Sequence, residues 1–359
     1  MSVFVIAEAG VNHNGDIALA VKLVDAAVEA GADAVKFQTF RAEALATETA
    51  PKAAYQSVRT GEGQSQLAML KALELSPERH RVLKAHAERR GIEFLSTPFD
   101  DESLKFLAGD LGLARIKLGS GEVTNGPFLV AAARTGCDVI LSTGMSTLDE
   151  VSDAVGALAF GYREKSKTPS LDAFRAIAGG GEAPADIARK ITLLHCTSAY
   201  PAPVAEANLR AMRTMAARFG VAVGLSDHTD GADVPVAAVA LGATTIEKHL
   251  TMSRSLPGPD HAASLEPEEF AAMVRSIRRI EAAMGNGEKR VMPSEVETRE
   301  VARKSVVALA PIARGATFDE RNLGAKRPGT GLSPMAIWNV FGRTARHDYR
   351  ADEPIETVE

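Results

Sequence analysis

Residues 221–249 read VAVGLSDHTDGADVPVAAVALGATTIEKH. Two short β-type runs, Val221–Leu225 and Thr244–Lys248, enclose a segment that we interpret as a helix. This stretch therefore predicts one complete β-α unit and the strand that follows it. The first run continues into Ser226–His228 and the second ends in Glu247–His249, so both strands finish in polar residues. A strand–helix–strand unit sets its two strands parallel, with their carboxyl ends at the same edge.

The same pattern recurs along the first 285 residues and gives eight predicted strands. The strands are Val3–Glu8, Ala34–Gln38, Ile92–Ser96, Arg115–Leu118, Asp138–Ser142, Ile191–His195, Val221–Leu225 and Thr244–Lys248. Eight β-α units predict an α/β fold, a closed (β/α)8 TIM barrel. The alternative is an open doubly wound sheet, which normally carries a G-x-G-x-x-G turn after its first strand. The first turn here, Glu8–Gly15, lacks that spacing.

Changes in composition divide the chain into domains. We assign residues 1–285 to the barrel, residues 286–300, which are polar and charged, to a linker, and residues 301–359 to a small second domain. Two segments interrupt the barrel pattern. The connection at residues 41–75 is long enough to predict a functional loop. Residues 161–189 contain Gly179–Gly181 and predict a mobile surface insertion without a function.

Composition excludes several classes of protein. The 41 basic and 46 acidic residues give a net charge of −5, and aromatic residues make up 5%, a poor basis for nucleic-acid binding. Two cysteines are too few for a disulfide framework and indicate a reducing, cytoplasmic compartment. The first eight residues lack the basic region of a signal peptide, and no run of 18 apolar residues predicts a membrane span.

The carboxyl ends of barrel strands build the active site, and a histidine pair lies at two of them. His228 and His249 end consecutive predicted strands, so we expect them to be neighbours. Two imidazoles suit a divalent metal with open positions for water and substrate, and the alternative is a hydrogen-bonded histidine pair. We expect Asp227 and Glu247 to orient the imidazole rings.

Two lysines and a glutamate form a second group of candidates. Lys36 and Lys117 could bind an anion, form a Schiff base or pair with a carboxylate. The nearby Gly119–Gly121 and Ser142–Gly144 favour an anion, because exposed backbone N–H groups and hydroxyls make a phosphate cradle. Glu8 ends an apolar strand, which leaves a salt bridge to an inward lysine or a role as general acid or base.

These segments resemble the sialic acid synthase family over nearly the whole chain. The matching segments are Ile6–Gly15, Val35–Phe40, Leu95–Phe99, Lys117–Glu122, His195–Pro201, Gly224–Thr229, Ile246–His249 and Pro257–His261. In the tail, Lys326–Gly329 and Gly331–Pro334 resemble the small antifreeze-like (SAF) domain that follows the barrel in this family. The resemblance implies a metal-dependent condensation of phosphoenolpyruvate with an N-acyl mannosamine-type sugar and water. The products are N-acetylneuraminate or legionaminate and phosphate, released by C–O cleavage.

The resemblance also implies roles for individual residues. His228 and His249 would hold Mn²⁺ or Mg²⁺, and Glu8 would orient or deprotonate the attacking water, with Lys117 and Arg327 also catalytic. Phosphoenolpyruvate would contact Lys36, Thr97, Lys117, Ser120, Ser198 and Ser226. The open-chain sugar would contact Gln38, Glu122, Tyr200 and Asp260. Arg327 of the partner subunit would complete the site in a homodimer. Some members of the family have Asn where this chain has Ser198.

Other functions stay open at this point. A Schiff-base pyruvate aldolase, with Lys117 as nucleophile, would make the same bond without metal or phosphate release. A noncatalytic carbohydrate-binding protein would not need lysine, glutamate and paired histidines together. A pseudaminate synthase is the alternative within the family, although the sequence is closer to neuraminate or legionaminate synthases. The segments Tyr55-Gln56 and Gln64–Gln66 lie in the loop that we expect to read C4 and C6 of the sugar.

Overall fold

The computed structural model describes residues 2–52, 65–178 and 183–356. Two compact units make up the chain, Met1–Gly285 and Asn286–Glu359. Tyr55, Gln56, Gln64 and the glycines at 179–181 lie outside the described residues.

Eight parallel strands form the sheet of the first unit. They are β1 Phe4–Gly10, β2 Ala34–Thr39, β3 Glu93–Pro98, β4 Arg115–Leu118, β5 Asp138–Ser142, β6 Ile191–Cys196, β7 Ala222–Asp227 and β8 Thr245–His249. Their hydrogen-bonded order is β3-β2-β1-β8-β7-β6-β5-β4. Because β3 and β4, at the two ends of this order, contact each other, the sheet curls into a nearly closed barrel. The predicted TIM-barrel fold is confirmed.

Helices surround the strands. Those described are Ile17–Glu29, Ala42–Leu45, Gln66–Leu73, Pro77–Arg90, Asp101–Lys105, Gly126–Arg134, Leu148–Arg163, Leu171–Ala178, Ala185–Ala188, Ala211–Phe219, Asp233–Ala240 and Pro267–Met284. Local sequence fixes their ends. Ser76 accepts a hydrogen bond from the Arg79 backbone, Pro77 occupies the first turn, and Gly91 ends that helix in the left-handed conformation. The last helix buries Phe270, Met273, Val274 and Ile277 in the main apolar core of the first unit.

Side-chain alternation along the strands decides what reaches the barrel interior. Ile6, Ala34, Leu95, Ile140 and Leu194 form one buried cluster inside the barrel. Residues on a strand return to the same face every second position. The side chains two positions later therefore form the next layer above this buried cluster, at the carboxyl ends of the same strands. They are Glu8, Lys36, Thr97, Ser142 and Cys196.

The region around residues 161–189 differs from the expected mobile insertion. Its helix Leu171–Ala178 packs on the helix Leu148–Arg163, and Phe174 is buried with its ring centroid 5.5 Å from that of Phe160. Gly156 makes this contact close, because a Cβ there would lie 2.5 Å from the Phe174 carbonyl oxygen. The described part of the segment is thus packed structure.

The second unit begins with an exposed segment and continues into a small sheet. Where we expected a linker at 286–300, a 3-10 turn Pro293–Glu295 leads into a short helix, Val296–Ala302. Strands β9 Ser305–Ala308 and β10 Leu323–Lys326 pair antiparallel. Val306, Phe318, Leu323, Val340 and Tyr349 are among the residues of its core. Among the described residues, no helix combines the length and apolar character needed to cross a membrane.

Candidate active site

Four charged side chains form a chain at the carboxyl end of the barrel, and all are at most 6% exposed. The Lys36 Nζ lies 2.5 Å from Glu8 Oε2 and 3.8 Å from Glu247 Oε2. The Lys117 Nζ lies 3.6 Å from Glu247 Oε1. We call Glu8, Lys36, Glu247 and Lys117 the charged floor. Its two positive and two negative charges balance, which is how ionised groups are tolerated away from water.

The surroundings of the charged floor shift the pKa values of its two carboxyl groups in opposite directions. Burial raises the pKa of Glu8, even though the adjacent Lys36 opposes the shift. Burial would also raise the pKa of Glu247, but the charges of Lys117 and Lys36 outweigh it and lower that pKa. Glu8 is therefore the carboxyl group that holds a proton more readily, and Glu247 is the one that favours the ionised form.

The pKa values of the two lysines also shift in opposite directions. Burial lowers the pKa of Lys117, and the charge of Glu247 only partly opposes this. Burial would lower the pKa of Lys36 too, but Glu247 and Glu8 raise it overall. Lys36 is thus held as a cation between two carboxylates, whereas Lys117 is the more readily neutralised amine.

The backbone next to Glu8 is shaped to admit its carboxylate. Gln38 Nε2 donates a hydrogen bond of 3.1 Å to Glu8 Oε1. At Gly10 the strand is irregular and φ is +51°, and a Cβ would lie 3.0 Å from the same oxygen. Glycine therefore lets the Glu8 carboxylate and the Gln38 amide lie close to this backbone, where any other residue would crowd them.

Hydroxyl groups from several strand ends surround the two lysines. Lys36 Nζ donates to Thr97 Oγ1 at 3.2 Å, and Lys117 Nζ donates to Ser142 Oγ at 2.7 Å. Ser226 Oγ donates to Glu247 Oε1 at 3.0 Å. Ammonium and hydroxyl groups together can bind the oxygens of a phosphate or carboxylate.

The turn after β5 brings two further hydroxyls close to this group. Ser120 Oγ accepts a hydrogen bond of 3.0 Å from the Gly144 backbone N–H. A Cβ at Gly144 would fall 2.2 Å from Ser198 Oγ, so only glycine allows this approach. Ser120 and Ser198 therefore lie beside each other, as expected for two contributors to one anion site.

The histidine pair lies at the ends of β7 and β8, beside the charged floor. The ring centroids of His228 and His249 are 5.5 Å apart, and Tyr200 packs on both. His228 Nδ1 lies 2.9 Å from the Thr197 carbonyl oxygen, which assigns the donor hydrogen to Nδ1 and leaves a lone pair on Nε2. His249 Nδ1 is buried without a hydrogen-bond partner among the described residues, and burial holds its pKa well below the usual value.

The expectation that Asp227 and Glu247 orient these imidazoles is wrong. Asp227 Oδ2 lies 2.5 Å from Lys248 Nζ, and Glu247 belongs to the charged floor. The reason is the two-residue period of a strand, which turns Asp227 and Lys248 away from the face that carries His228 and His249. Applied at each strand end, that period is also the signal that could have placed Glu247 and Ser142 in the site.

A cavity of about 440 Å³ opens above the charged floor and contains most of the predicted substrate residues. Gln38, Tyr200 and Asp260 line it, and burial raises the pKa of Asp260 to about 6. Glu122 does not line it. That residue is half-buried in a 3-10 turn, where its carboxylate accepts a hydrogen bond of 2.7 Å from Asn125. Arg327 lies in the second unit, where its Nε donates to the Ala302 carbonyl at 3.0 Å.

An apolar wall, which sequence reasoning did not find, borders the same cavity. It consists of Val11, Leu45, Met69, Leu70, Leu73 and Phe99, and we call it the apolar rim. Four of these residues belong to the described part of the long connection at 41–75, which we expected to be functional. The cavity therefore combines a charged floor with one apolar side.

A TIM barrel that gathers two lysines, two carboxylates, hydroxyls and a histidine pair at its carboxyl end belongs to the enzymes that act on small anionic substrates. The model of the NeuB family matches residues 23–289, and that of the SAF domain matches residues 303–358. The chain therefore belongs to the NeuB family and is a sugar-acid synthase. Synthases of this family condense phosphoenolpyruvate with sugars to give nonulosonic acids.

Individual relatives agree with this assignment. The chain is 46% identical over 342 residues to the N,N'-diacetyllegionaminic acid synthase of Legionella pneumophila, which covers 95% of this chain and 90% of that protein. It is 44% identical over 351 residues to the enzyme of the same name from Campylobacter jejuni, with 98% of each chain covered. The solved sialic acid synthetase of Leptospira borgpetersenii has a TM-score of 0.67 at 33% identity, over 83% of this chain and 90% of that one. The expected family and enzyme class are confirmed.

Proposed function

We propose that this enzyme condenses phosphoenolpyruvate with a 2-acetamido mannose-type sugar and water. The product is a nine-carbon 2-keto acid of the legionaminate or neuraminate type, with phosphate as the second product. The charged floor is the observation that carries the proposal, because it sets two ammonium groups beside a carboxyl group of raised pKa. Those are the groups needed to hold a dianionic substrate and to move a proton beside it.

The lysines and hydroxyls hold phosphoenolpyruvate. Lys36 and Lys117 neutralise its charge, and the hydroxyl groups complete the oxygen contacts. The contributing hydroxyls are those of Thr97, Ser120, Ser198 and Ser226. Lys36 Nζ is also paired with Glu8, and Lys117 Nζ also donates to the Leu118 carbonyl at 3.1 Å, so the incoming anion would share or displace some of these contacts.

Glu8 acts on water. In the reaction, C3 of phosphoenolpyruvate bonds to the aldehyde carbon of the open-chain sugar, and water adds at C2. Glu8 takes a proton from that water, and the former aldehyde oxygen gains a proton to become a hydroxyl group. The C2–O bond to phosphate then breaks while the new C2 hydroxyl loses its proton, which gives the keto group and free phosphate. The raised pKa of Glu8 matches a base that must accept a proton and later release it.

His228 and His249 would hold a divalent metal, Mn²⁺ or Mg²⁺, which supplies polarisation of the sugar aldehyde when bound. The fit rests on the lone pair of His228 Nε2 and on the buried Nδ1 of His249, which has no hydrogen-bond partner in the part of the chain that the structure describes. Within the described residues no cluster of three or more metal-ligating side chains occurs, so the protein would supply only two ligands. The open positions then suit water and substrate oxygens, and family synthases are generally metal-dependent.

The remaining contacts concern the sugar and the assembly. Gln38, Tyr200 and Asp260 line the cavity and bind the open-chain sugar. The functional unit is a homodimer in which the partner subunit's Arg327 completes the site. Because phosphoenolpyruvate is a cytoplasmic metabolite, we place the reaction in the cytoplasm.

Phosphate release from phosphoenolpyruvate, with Mn²⁺ and a panel of 2-acetamido sugars, tests the proposal. We expect release that depends on both the metal and a sugar. The lowered pKa of Lys117 favours one competing function, a Schiff-base pyruvate aldolase, since a neutral amine is the nucleophile such an enzyme needs. Borohydride trapping of pyruvate on Lys117, with no phosphate released from phosphoenolpyruvate, would support that function instead.

A further inference from the structure

A second buried ion pair lies behind the histidine pair, on the opposite face of the same strands. Lys248 Nζ is 2.5 Å from Asp227 Oδ2, and the two side chains are at most 2% exposed. The proposed reaction uses neither residue, and neither belongs to the charged floor. Because apolar side chains of similar volume often stabilise a fold as well as a buried ion pair does, stability alone does not explain why these charges are buried.

The ion pair lies where the backbone pairing of β7 with β8 ends. It occupies the last register position that the structure describes between these two strands, and His228 and His249 follow it directly. The His228 carbonyl accepts a hydrogen bond of 2.8 Å from the Ala202 N–H, whereas His249 is the register partner of Glu8 in β1. Backbone contacts therefore hold the two histidines from opposite sides rather than to each other.

Lys248 joins the two histidine segments at this point. Its ammonium group donates to the Thr229 carbonyl at 2.5 Å as well as to Asp227. These contacts fall on the residues before and after His228, while Lys248 itself precedes His249. The Asp227 carboxylate also accepts hydrogen bonds from the Thr229 N–H at 3.2 Å and from its hydroxyl group at 2.9 Å. Asp227 thus closes the turn that carries His228, and Lys248 anchors that turn to β8.

Building on the metal site of the proposed function, we propose that Asp227 and Lys248 are a positioning pair, which sets the spacing of the two histidines and thereby the affinity for the divalent metal. The two-residue period of a strand turns both side chains away from the imidazole rings, so the pair acts through the backbone beside each histidine. Groups that hold metal ligands in place change metal affinity by about tenfold to a hundredfold when they are removed.

The first experiment replaces the ion pair with an uncharged pair, Asp227→Asn together with Lys248→Met. Asparagine keeps an acceptor for Thr229, so no unpaired charge is left inside the protein. We expect the dissociation constant of Mn²⁺, measured without substrate by electron paramagnetic resonance, to rise about tenfold to a hundredfold. The denaturant midpoint of the metal-free protein should stay close to that of the unmodified enzyme. An unchanged dissociation constant would overturn the inference and leave the proposed function standing.

A matched double variant at the amino end controls for general loosening of the barrel. Asp33→Asn together with Arg278→Met removes an ion pair of 2.6 Å, whose carboxylate also accepts a hydrogen bond of 2.7 Å from the Val5 N–H. The Mn²⁺ dissociation constant should stay within about twofold, because this pair is distant from the histidines. An equal rise in both double variants would overturn the inference. If the unmodified enzyme binds no Mn²⁺, the metal site of the proposed function is wrong, and the inference falls with it.

The second experiment uses a milder change, Thr229→Val, which keeps the ion pair and the side-chain volume. It removes the hydroxyl group that donates to Asp227, so we expect the Mn²⁺ dissociation constant to rise about threefold to tenfold. Thr244→Val is the matched control, because it removes a hydroxyl hydrogen bond of 3.1 Å at the amino end, and it should not change the constant. If Thr229→Val folds and binds Mn²⁺ as tightly as Thr244→Val, the pair does not set the metal affinity.

Discussion

The two ends of the barrel carry cavities of similar size and opposite character. The carboxyl-end cavity has about 440 Å³ and contains the charged floor, whereas the amino-end cavity has about 490 Å³ and is lined by Arg115, Asp138 and Lys190 among others. The floor charges are at most 6% exposed, but the side chains of these three are between 33% and 46% exposed. Exposed ion pairs contribute at most about 1 kcal/mol and need no function to explain them.

Burying charges is costly, so the charged floor calls for a different explanation from the amino end. A buried ion pair often stabilises a fold no better than apolar residues of the same volume. Clusters of buried ionisable groups with shifted pKa values in a cleft are typical of functional sites. The comparison therefore predicts that changes at the carboxyl end abolish activity while matched changes at the amino end leave it intact.

Metal removal should cause the largest loss of activity, because we place the metal site at the carboxyl end of the barrel. It should leave the fold unchanged. We expect a chelator to abolish phosphate release and His228→Ala to lose bound metal. The circular dichroism spectrum should not change in either case, because two ligands are too few for a structural zinc site. His86→Ala is the control, since His86 lies on an outer helix beside Asp25 and should leave metal content unchanged. Unfolding on chelation would contradict this prediction.

Glu8→Gln should cause the second largest loss of activity. It keeps the shape of the side chain but removes the proton acceptor, so we expect kcat to fall by about 10²- to 10⁴-fold. Glu281→Gln makes the same chemical change at the amino end, where Glu281 pairs with Arg278 at 3.1 Å, and should leave kcat within a factor of about two. Steady-state phosphate release measures both. Near-normal turnover in Glu8→Gln would remove Glu8 from the mechanism.

Lys117→Met should have a somewhat smaller effect. Loss of one cation from the anion site should lower kcat/KM for phosphoenolpyruvate by about 10²- to 10³-fold. Lys190→Met at the amino end removes a lysine that is 38% exposed, and stability there should change by no more than about 0.5 kcal/mol. Kinetics and thermal unfolding of both variants check the contrast. Equal losses in the two variants would mean that the ends of the barrel do not differ as proposed.

The sequence was sufficient to predict the strands and what lies at their ends. Predicted and observed strands agree within two residues at each end, because short apolar runs bounded by turns are a strong signal in a barrel. The convergence of Glu8, Lys36, Lys117 and the histidine pair followed from parallel strands ending at one edge. The roles of these residues are still proposals.

The side of the sheet that a side chain faces and the contacts between helices were harder to predict from the sequence. Asp227 and His228 are adjacent in sequence but face opposite sides of the sheet, so proximity along the chain gave Asp227 the wrong partner. Phe174 is buried beside Phe160, and Gly156 in the same neighbouring helix lets the Phe174 backbone approach closely. The apolar rim depends on two helices that meet through Glu74 and Ala42, a contact with no local sequence signal.

The smallest predicted effect concerns how the loop that carries Asp260 is held. Asn14 Nδ2 donates to the Pro257 carbonyl at 2.7 Å, and Asn14 Oδ1 lies 3.2 Å from His261 Nε2. Asn14 thus braces both sides of Asp260 without touching the cavity. Asn14→Ala should therefore raise KM for the sugar by about threefold to tenfold and change kcat little, since one hydrogen bond contributes about 1 kcal/mol.

A matched loss at the amino end separates positioning from stability. Thr244→Val removes a hydrogen bond of 3.1 Å from Thr244 Oγ1 to the Val223 carbonyl, which is again a side-chain contact to the backbone. Both variants should lose about 1 kcal/mol of stability in denaturant unfolding. Only Asn14→Ala should raise KM for the sugar. If both variants raise it equally, general loosening of the barrel explains the effect, and Asn14 has no positioning role.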